Sequence, residues 1–171
     1  MRMGSMLRAA VAAAIMAVGV AACGQSGVPG DPAAAARLQR LEDLEAIRAL
    51  LVAYGRTFDA RDFEAYAALF ATDAVWSGAG GSFTGPDAIR EMVESGYPPS
   101  VFTNSFHIMS SFDIEITGAD SAAAWSRWTF VVENEDGQPA PFRAGRYEDE
   151  LVRVDGQWKF KQRRVMAGTN R

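Results

Sequence analysis

The chain has 171 residues, of which 49% are hydrophobic and 22% charged, and its formal net charge is −4 with a pI near 5.0. This length and composition fit one globular domain with a hydrophobic core and leave little room for a second. The acidic balance argues against nucleic acid as a partner, because phosphate binding needs clustered lysine and arginine.

The first 22 residues have the features of a secretory signal peptide. Arg2 and Arg8 form a short basic region, and the small-residue run 9–22 is too short to span a bilayer. This run ends in VAACG, which resembles the bacterial lipoprotein box and implies cleavage before Cys23 and lipidation of that cysteine. The alternative is an ordinary signal peptide that happens to contain a cysteine.

We therefore expect a membrane-anchored lipoprotein of the bacterial cell envelope, facing the periplasm or the cell exterior. Residues 23–31 would be the lipidated cysteine and a flexible linker rich in Gly, Ser and Pro. Residues 32–171 would form the folded domain.

Three helices are predicted in the first half of this domain. Asp31 can cap a helix that Pro32 begins, and apolar residues at steps of three and four continue it to about residue 60. A short helix, capped by an aspartate, follows at 62–70. A third begins at the Gly-Pro pair of 85–86 and ends near Gly96.

The rest of the chain is predicted to form strands. A small-residue turn at 77–82 separates two short strands, and Asp155-Gly156 is a hairpin signal. Four longer strands are expected at 103–117, 122–133, 142–154 and 157–165. Helices followed by an antiparallel meander predict an α+β fold, with the helices packed on one face of a curled sheet.

The charged residues of the last strands are expected at the protein surface. One group indicates a solvated or dimer-facing sheet surface with cross-strand ion pairs, namely Arg143, Arg146, Glu148, Asp149, Glu150 and Arg153. A second group is typical of an exposed edge strand, namely Lys159, Lys161, Arg163 and Arg164.

Four stretches together resemble the SnoaL-like branch of the NTF2-like superfamily. They are YGRTFDARDFEAYAALFATDAVW at 54–76, GPDAI at 85–89, His107 early in a long strand, and DGQWKF at 155–160. The resemblance covers roughly 37–165 and implies a cone-shaped fold with a pocket between the long helix and the concave sheet. Its members include scytalone dehydratase, ketosteroid isomerase, limonene epoxide hydrolase, polyketide cyclases and non-catalytic binding proteins, so function depends on the site.

The resemblance implies that Asp59 and His107 are the catalytic residues. The stretch 58–63 is similar to the scytalone dehydratase segment in which an aspartate supports a histidine. A carboxylate bonded to one ring nitrogen fixes the tautomer and makes the other nitrogen more basic. The expected ligand-binding residues around this pair are Tyr54, Phe58, Trp76, Asn104, Trp125, Arg127 and Tyr147.

The chain departs from the dehydratase pattern at two positions. It has a single histidine, whereas the dehydratase carries a second one in the next strand, and Phe58 replaces a tyrosine. The arrangement of ketosteroid isomerase is not matched either. Asp59 and Arg127 leave open an Asp-Arg-Asp set of the epoxide hydrolase type.

Strand parity bears on whether His107 faces the pocket. Apolar and acidic residues alternate over 112–116, and strict alternation would place His107 on the acidic, outer face. A bulge at Ser110-Ser111 would turn it inward. The family resemblance favours the bulge.

Two functions from different classes follow. The first is a lipid-anchored enzyme that performs cofactor-free proton transfer on a small hydrophobic molecule, in dehydration, isomerisation or cyclisation. The second is a non-catalytic pocket protein that binds a small apolar ligand or serves as an assembly module. One histidine and an acylated cysteine provide no metal-ligand set, so no metal or other cofactor is expected. The resemblance implies a homodimer formed through the sheet.

Overall fold

The computed structural model describes residues 31–98, 102 and 104–168. The helices are α1 (Pro32–Asp59), α2 (Phe63–Ala68) and α3 (Pro86–Gly96). The strands are β1 (Phe70–Gly78), β2 (Gly81–Thr84), β3 (Ser105–Gly118), β4 (Ser121–Glu133), β5 (Pro139–Val154) and β6 (Gln157–Ala167). The predicted elements are confirmed in type and order. The predictions for residues 1–30, including Cys23, lie outside the described residues.

The long helix α1 packs on the sheet through its second half. Ile47, Leu51, Tyr54 and Phe58 are almost fully buried, and each such side chain contributes roughly 1.5–3 kcal/mol through removal from water. The predicted stripe is not covered over its whole length, since Leu38 and Leu41 remain exposed. No helix among the described residues is long and apolar enough to cross a bilayer.

The six strands form one sheet in the order β2-β1-β6-β5-β4-β3. Adjacent strands of the sheet are antiparallel, except that β1 and β6 run parallel to each other. The prediction that 157–165 forms an edge strand is therefore wrong. The reason is that β1 covers this edge, a pairing between distant segments for which the local charge pattern gives no signal.

The helices lie over the concave face of the sheet and close the core from one side. Tyr66 from α2, Ile89 and Val93 from α3 and Phe160 from β6 are buried in one cluster with α1. The α+β prediction, with N-terminal helices on a curled sheet, is confirmed. This arrangement leaves one end of the concave face open for the site described below.

Gly145 in β5 lies where the backbone of β6 approaches most closely. A Cβ atom there would lie 1.9 Å from the carbonyl oxygen of Met166 and 2.9 Å from Cζ2 of Trp128. We expect Gly145→Ala to lower the free energy of unfolding by about 2 kcal/mol or more, because overpacking forces backbone shifts. Urea denaturation measures this change.

The matched control is Gly96→Ala, since nothing lies within 4 Å of a Cβ at Gly96. This control is expected to leave stability unchanged or slightly raised. A Gly145→Ala protein as stable as the wild type would contradict the close approach.

Candidate active site

Asp59 and His107 form a hydrogen-bonded pair between the end of α1 and the start of β3. The backbone N–H of His107 donates to Oδ2 of Asp59 at 2.8 Å, and Nδ1 of the same histidine lies 2.7 Å from Oδ1. The side chains are 9% and 22% exposed for His107 and Asp59 respectively. Because an ionised carboxylate only accepts hydrogen bonds, Nδ1 is the nitrogen that carries the hydrogen.

His107 faces the concave side because β3 contains a bulge. Ser110 pairs with Arg127 and Asp113 pairs with Trp125, so two residues of β3 oppose one residue of β4. Ser111 has a φ of 54°, in the left-handed region. The predicted bulge at Ser110-Ser111 is confirmed, and it reverses which residues of the strand face inward.

Gly55 allows α1 to approach β3 at the level of this pair. A Cβ at Gly55 would lie 3.2 Å from Cβ of His107. Glycine in a helix interior costs about 1 kcal/mol relative to alanine. The apolar pattern of α1 does not predict this close approach. A glycine inside a helix is itself a signal of close packing.

A cavity of about 310 Å³ lies between the helices and the sheet, and His107 is part of its wall. This volume is at the low end of the range for small-molecule sites. Four of the expected ligand-binding residues line it, namely Tyr54, Phe58, Trp76 and Tyr147. The wall also contains Tyr66, Tyr97, Trp128, Phe130 and Arg143.

Three of the expected ligand-binding residues do not line the cavity, which corrects the sequence analysis. Asn104 lies in an exposed turn and donates its side-chain amide to Glu133. Trp125 and Arg127 lie on the outer face of β4, where the guanidinium is 5.1 Å from the indole ring.

The alternation of side chains along β4 explains why Trp125 and Arg127 lie outside the cavity. Trp128 and Phe130 of β4 are buried on the concave side and line the cavity, so Trp125 and Arg127 point the other way. The Asp-Arg-Asp set that would pair Asp59 with Arg127 is thereby ruled out.

The imidazole of His107 is held between aromatic rings. Its centroid lies 4.9 Å from that of Phe58, edge to face, and 4.7 Å from that of Phe130. Among the described residues, no protein group forms a hydrogen bond with Nε2. Nε2 is therefore the ring nitrogen without a protein partner, on a residue that lines the cavity.

A buried ion pair lies behind two tyrosines of the cavity wall. Arg163 donates through Nε and Nη2 to the two oxygens of Asp149, both at 2.7 Å, and both side chains are fully buried. The prediction that Asp149 and Arg163 are surface residues is wrong. Glu150 pairs with Gln162 and Leu151 pairs with Phe160, so a bulge between them turns Arg163 inward.

The guanidinium of Arg163 is enclosed by aromatic rings. Its central carbon lies 3.9 Å from the Tyr54 ring centroid and 4.1 Å from those of Tyr147 and Phe160. Burial alone would lower the pKa of Arg163, but the Asp149 carboxylate raises it above its usual value. The pair stays ionised and fixes the position of two tyrosines of the cavity wall.

The tyrosines beside this pair remain neutral at ordinary pH. Burial, reinforced by the neighbouring Tyr54, raises the pKa of Tyr66 and of Tyr147 well above its usual value. The indole N–H of Trp76 donates to the Tyr54 hydroxyl at 3.1 Å. The cavity wall is thus aromatic, with neutral hydroxyl groups.

A family model described as a SnoaL-like domain matches residues 39–164. The chain belongs to the SnoaL-like family. This match covers most of the domain and confirms the resemblance on which the fold prediction rested. Within the described ranges, no three His, Cys, Asp or Glu side chains come together as a metal-ligand set.

Solved structures of similar fold come from several bacteria. An NTF2-like protein with a cystatin-like fold from Novosphingobium aromaticivorans has a TM-score of 0.76 and 22% identity, over 84% of this chain and 94% of that one. A candidate scytalone dehydratase from the same species has a TM-score of 0.66 and 29% identity, over 76% and 87% of the chains.

A hexachlorocyclohexane dehydrochlorinase, LinA-type3 from Novosphingobium barchaimii, has a TM-score of 0.67 and 24% identity, over 78% of this chain and 91% of that one. A comparison with curated proteins gave no match. The structures establish the NTF2-like fold and leave the reaction to be argued from the site.

The buried ion pair gives the first prediction for this site. Asp149→Leu and Arg163→Met should each lower the free energy of unfolding by about 3–5 kcal/mol, because each leaves one buried charge without its partner. The free energy of unfolding should fall less in the double variant than in either single variant. Urea unfolding of the four proteins measures the coupling, and additive losses would contradict it.

The second prediction concerns the tautomer of His107. The chain has one histidine, so its ring nitrogens give unambiguous ¹⁵N signals. We expect neutral His107 to be the Nδ1–H tautomer, and Asp59→Ala to shift it toward Nε2–H because the acceptor is lost. Asp62→Asn is the control, since Asp62 caps α2 through the N–H of Ala65. Equal tautomer populations in wild type and Asp59→Ala would contradict the assignment.

Proposed function

We propose that this protein is a cofactor-free lyase in which His107, oriented by Asp59, removes a proton from carbon in a small, mainly apolar substrate. The observation that carries this proposal is the two-point contact of Asp59 with His107 at the wall of the cavity. That contact leaves Nε2 as the basic atom available to a ligand.

The names of two relatives support an elimination. A dehydratase removes water and a dehydrochlorinase removes hydrogen chloride, and both names occur among proteins that share the fold of this chain. Both reactions take a proton from one carbon and a leaving group from its neighbour. A positioned base in an apolar cavity provides the first part of either reaction.

The proposed step balances with the groups in the site. Nε2 of His107 takes the proton, the C–H electron pair becomes a carbon–carbon double bond, and the leaving group departs with its own electron pair. The Asp59 carboxylate stabilises the imidazolium that forms. A halide needs no proton, and a departing hydroxide takes back the proton from Nε2, so one histidine is sufficient.

Anchoring to the cell envelope through lipidated Cys23 is part of the same proposal. Its support is the sequence alone, namely a basic start, a small-residue run and the VAACG stretch. An enzyme held at a membrane would meet apolar substrates where these partition. A homodimer formed through the sheet also remains a proposal, supported by the family resemblance.

A general probe of a positioned base tests the catalytic proposal. In 5-nitrobenzisoxazole, loss of the ring C–H proton breaks the N–O bond and releases a coloured cyanophenolate. We expect turnover by the wild type, with kcat/KM lowered roughly 10²–10⁴-fold in His107→Gln, which removes the base. Asp59→Asn should lower it by roughly 10–100-fold through lost orientation of the ring.

Asp113→Asn is the matched control, because Asp113 lies on the outer face of β3. It should turn over the probe at the wild-type rate. Unchanged turnover in His107→Gln would overturn the assignment of the base. A wild type that binds the probe but turns it over no faster than free imidazole would favour the non-catalytic binding protein.

A further inference from the structure

We infer that Arg143 makes this site selective for substrates that carry a carboxylate group, and that Arg143 binds this group two strands away from His107 on the same face of the sheet. This inference rests on the proposed function and narrows its substrate class. It assigns a recognition residue outside the Asp59–His107 pair.

The register of the sheet places Arg143 in one row with the base. His107 of β3 pairs with Phe130 of β4, and Phe130 pairs with Arg143 of β5. With strands about 4.8 Å apart, the Cα atoms of His107 and Arg143 are roughly 10 Å apart. All three residues line the cavity, so base and cation face the same space across one phenylalanine.

A bulge in β5 brings Arg143 into this row. Phe130 pairs with Arg143 while Val131 pairs with Pro141, so Phe142 is an inserted residue without a partner on β4. Arg143 then shares the inward parity of Gly145 and Tyr147. Its guanidinium lies 5.6 Å from the ring of Phe142, which is 51% exposed at the cavity.

Arg143 has no acidic partner among the described residues. The neighbouring arginines are paired, Arg146 with Glu148, Arg153 with Asp43 and Arg163 with Asp149. Asp59 is occupied by His107.

The walls beside Arg143 concentrate its field on the cavity. They are aromatic, and such walls have a low dielectric constant. An unpaired cation here attracts an anionic ligand group.

Tyr97 adds a phenol at this side of the cavity. It lines the cavity together with Arg143. Burial raises the pKa of Tyr97, and the positive charge of Arg143 acts in the opposite direction. A carboxylate can accept two parallel hydrogen bonds from a guanidinium, a fit that an uncharged amide lacks. The substrate class is therefore a small cyclic or short-chain carboxylate with its acidic C–H about one ring away from the carboxylate.

Cyclohexanecarboxylate and cyclohexanecarboxamide are a matched pair of probes. They have nearly the same shape and differ in charge, and neither absorbs where tryptophan fluoresces. Trp76 and Trp128 line the cavity, so their fluorescence reports binding, and calorimetry gives an independent affinity. The wild type should bind the carboxylate roughly tenfold more tightly, with a preference that decreases as salt is added.

Arg143→Gln should abolish this preference by weakening carboxylate binding roughly tenfold while carboxamide binding stays the same. Arg143→Lys keeps the charge without the paired donors and should retain part of the preference. Arg127→Gln is the control, because Arg127 lies on the outer face. It should bind both probes as the wild type does.

Equal affinity of the wild type for the two probes would overturn the inference, as would an unchanged preference in Arg143→Gln. The inference and the proposed function fail separately. Carboxylate preference without His107-dependent turnover of 5-nitrobenzisoxazole removes the lyase and leaves the recognition by Arg143. His107-dependent turnover without carboxylate preference keeps the lyase and removes the recognition by Arg143.

Discussion

The site depends on one carboxylate that accepts two hydrogen bonds from a single residue. Asp59 ends α1, where the helix dipole disfavours a negative charge by about 0.3–1 kcal/mol. Hydrogen bonds from the backbone and the ring of His107 offset this cost, since charge-assisted bonds contribute about 1.5–3 kcal/mol each. The same two bonds join the helix to the sheet and fix the orientation of the base.

Three bulges turn polar, ionisable residues toward the concave face. The bulge at Ser110-Ser111 does so for His107, the one at Phe142 for Arg143, and the one between Phe160 and Gln162 for Arg163. An inserted residue reverses the alternation of a strand and increases its local twist. In this fold the bends that curl the sheet are therefore also the features that turn these three side chains inward.

Local patterns predicted the elements, whereas long-range pairings decided the site. The apolar stripe of α1, its Asp-Pro start and the Asp155-Gly156 turn carry their signal within a few residues, and these predictions are confirmed. The inward direction of His107 followed only from the family resemblance. Arg127 was misplaced because β4 alternates regularly with Trp128 and Phe130 facing inward. Arg163 was misplaced because a bulge reverses the alternation of β6, and because the parallel neighbour β1 lies far away in sequence.

The three ionic features of the concave face differ in what they can contribute. Asp149 and Arg163 neutralise each other in a dry interior, where breaking the pair is costly and a ligand gains nothing from it. In the proposed function, Asp59 orients His107, and Nε2 of that ring is the atom that takes a proton from the substrate. Arg143 is exposed and unpaired among the described residues, so a carboxylate reaches it with little desolvation. In the proposed function, such a contact would give selectivity more than affinity, and it would position an otherwise apolar substrate so that one particular carbon meets the base.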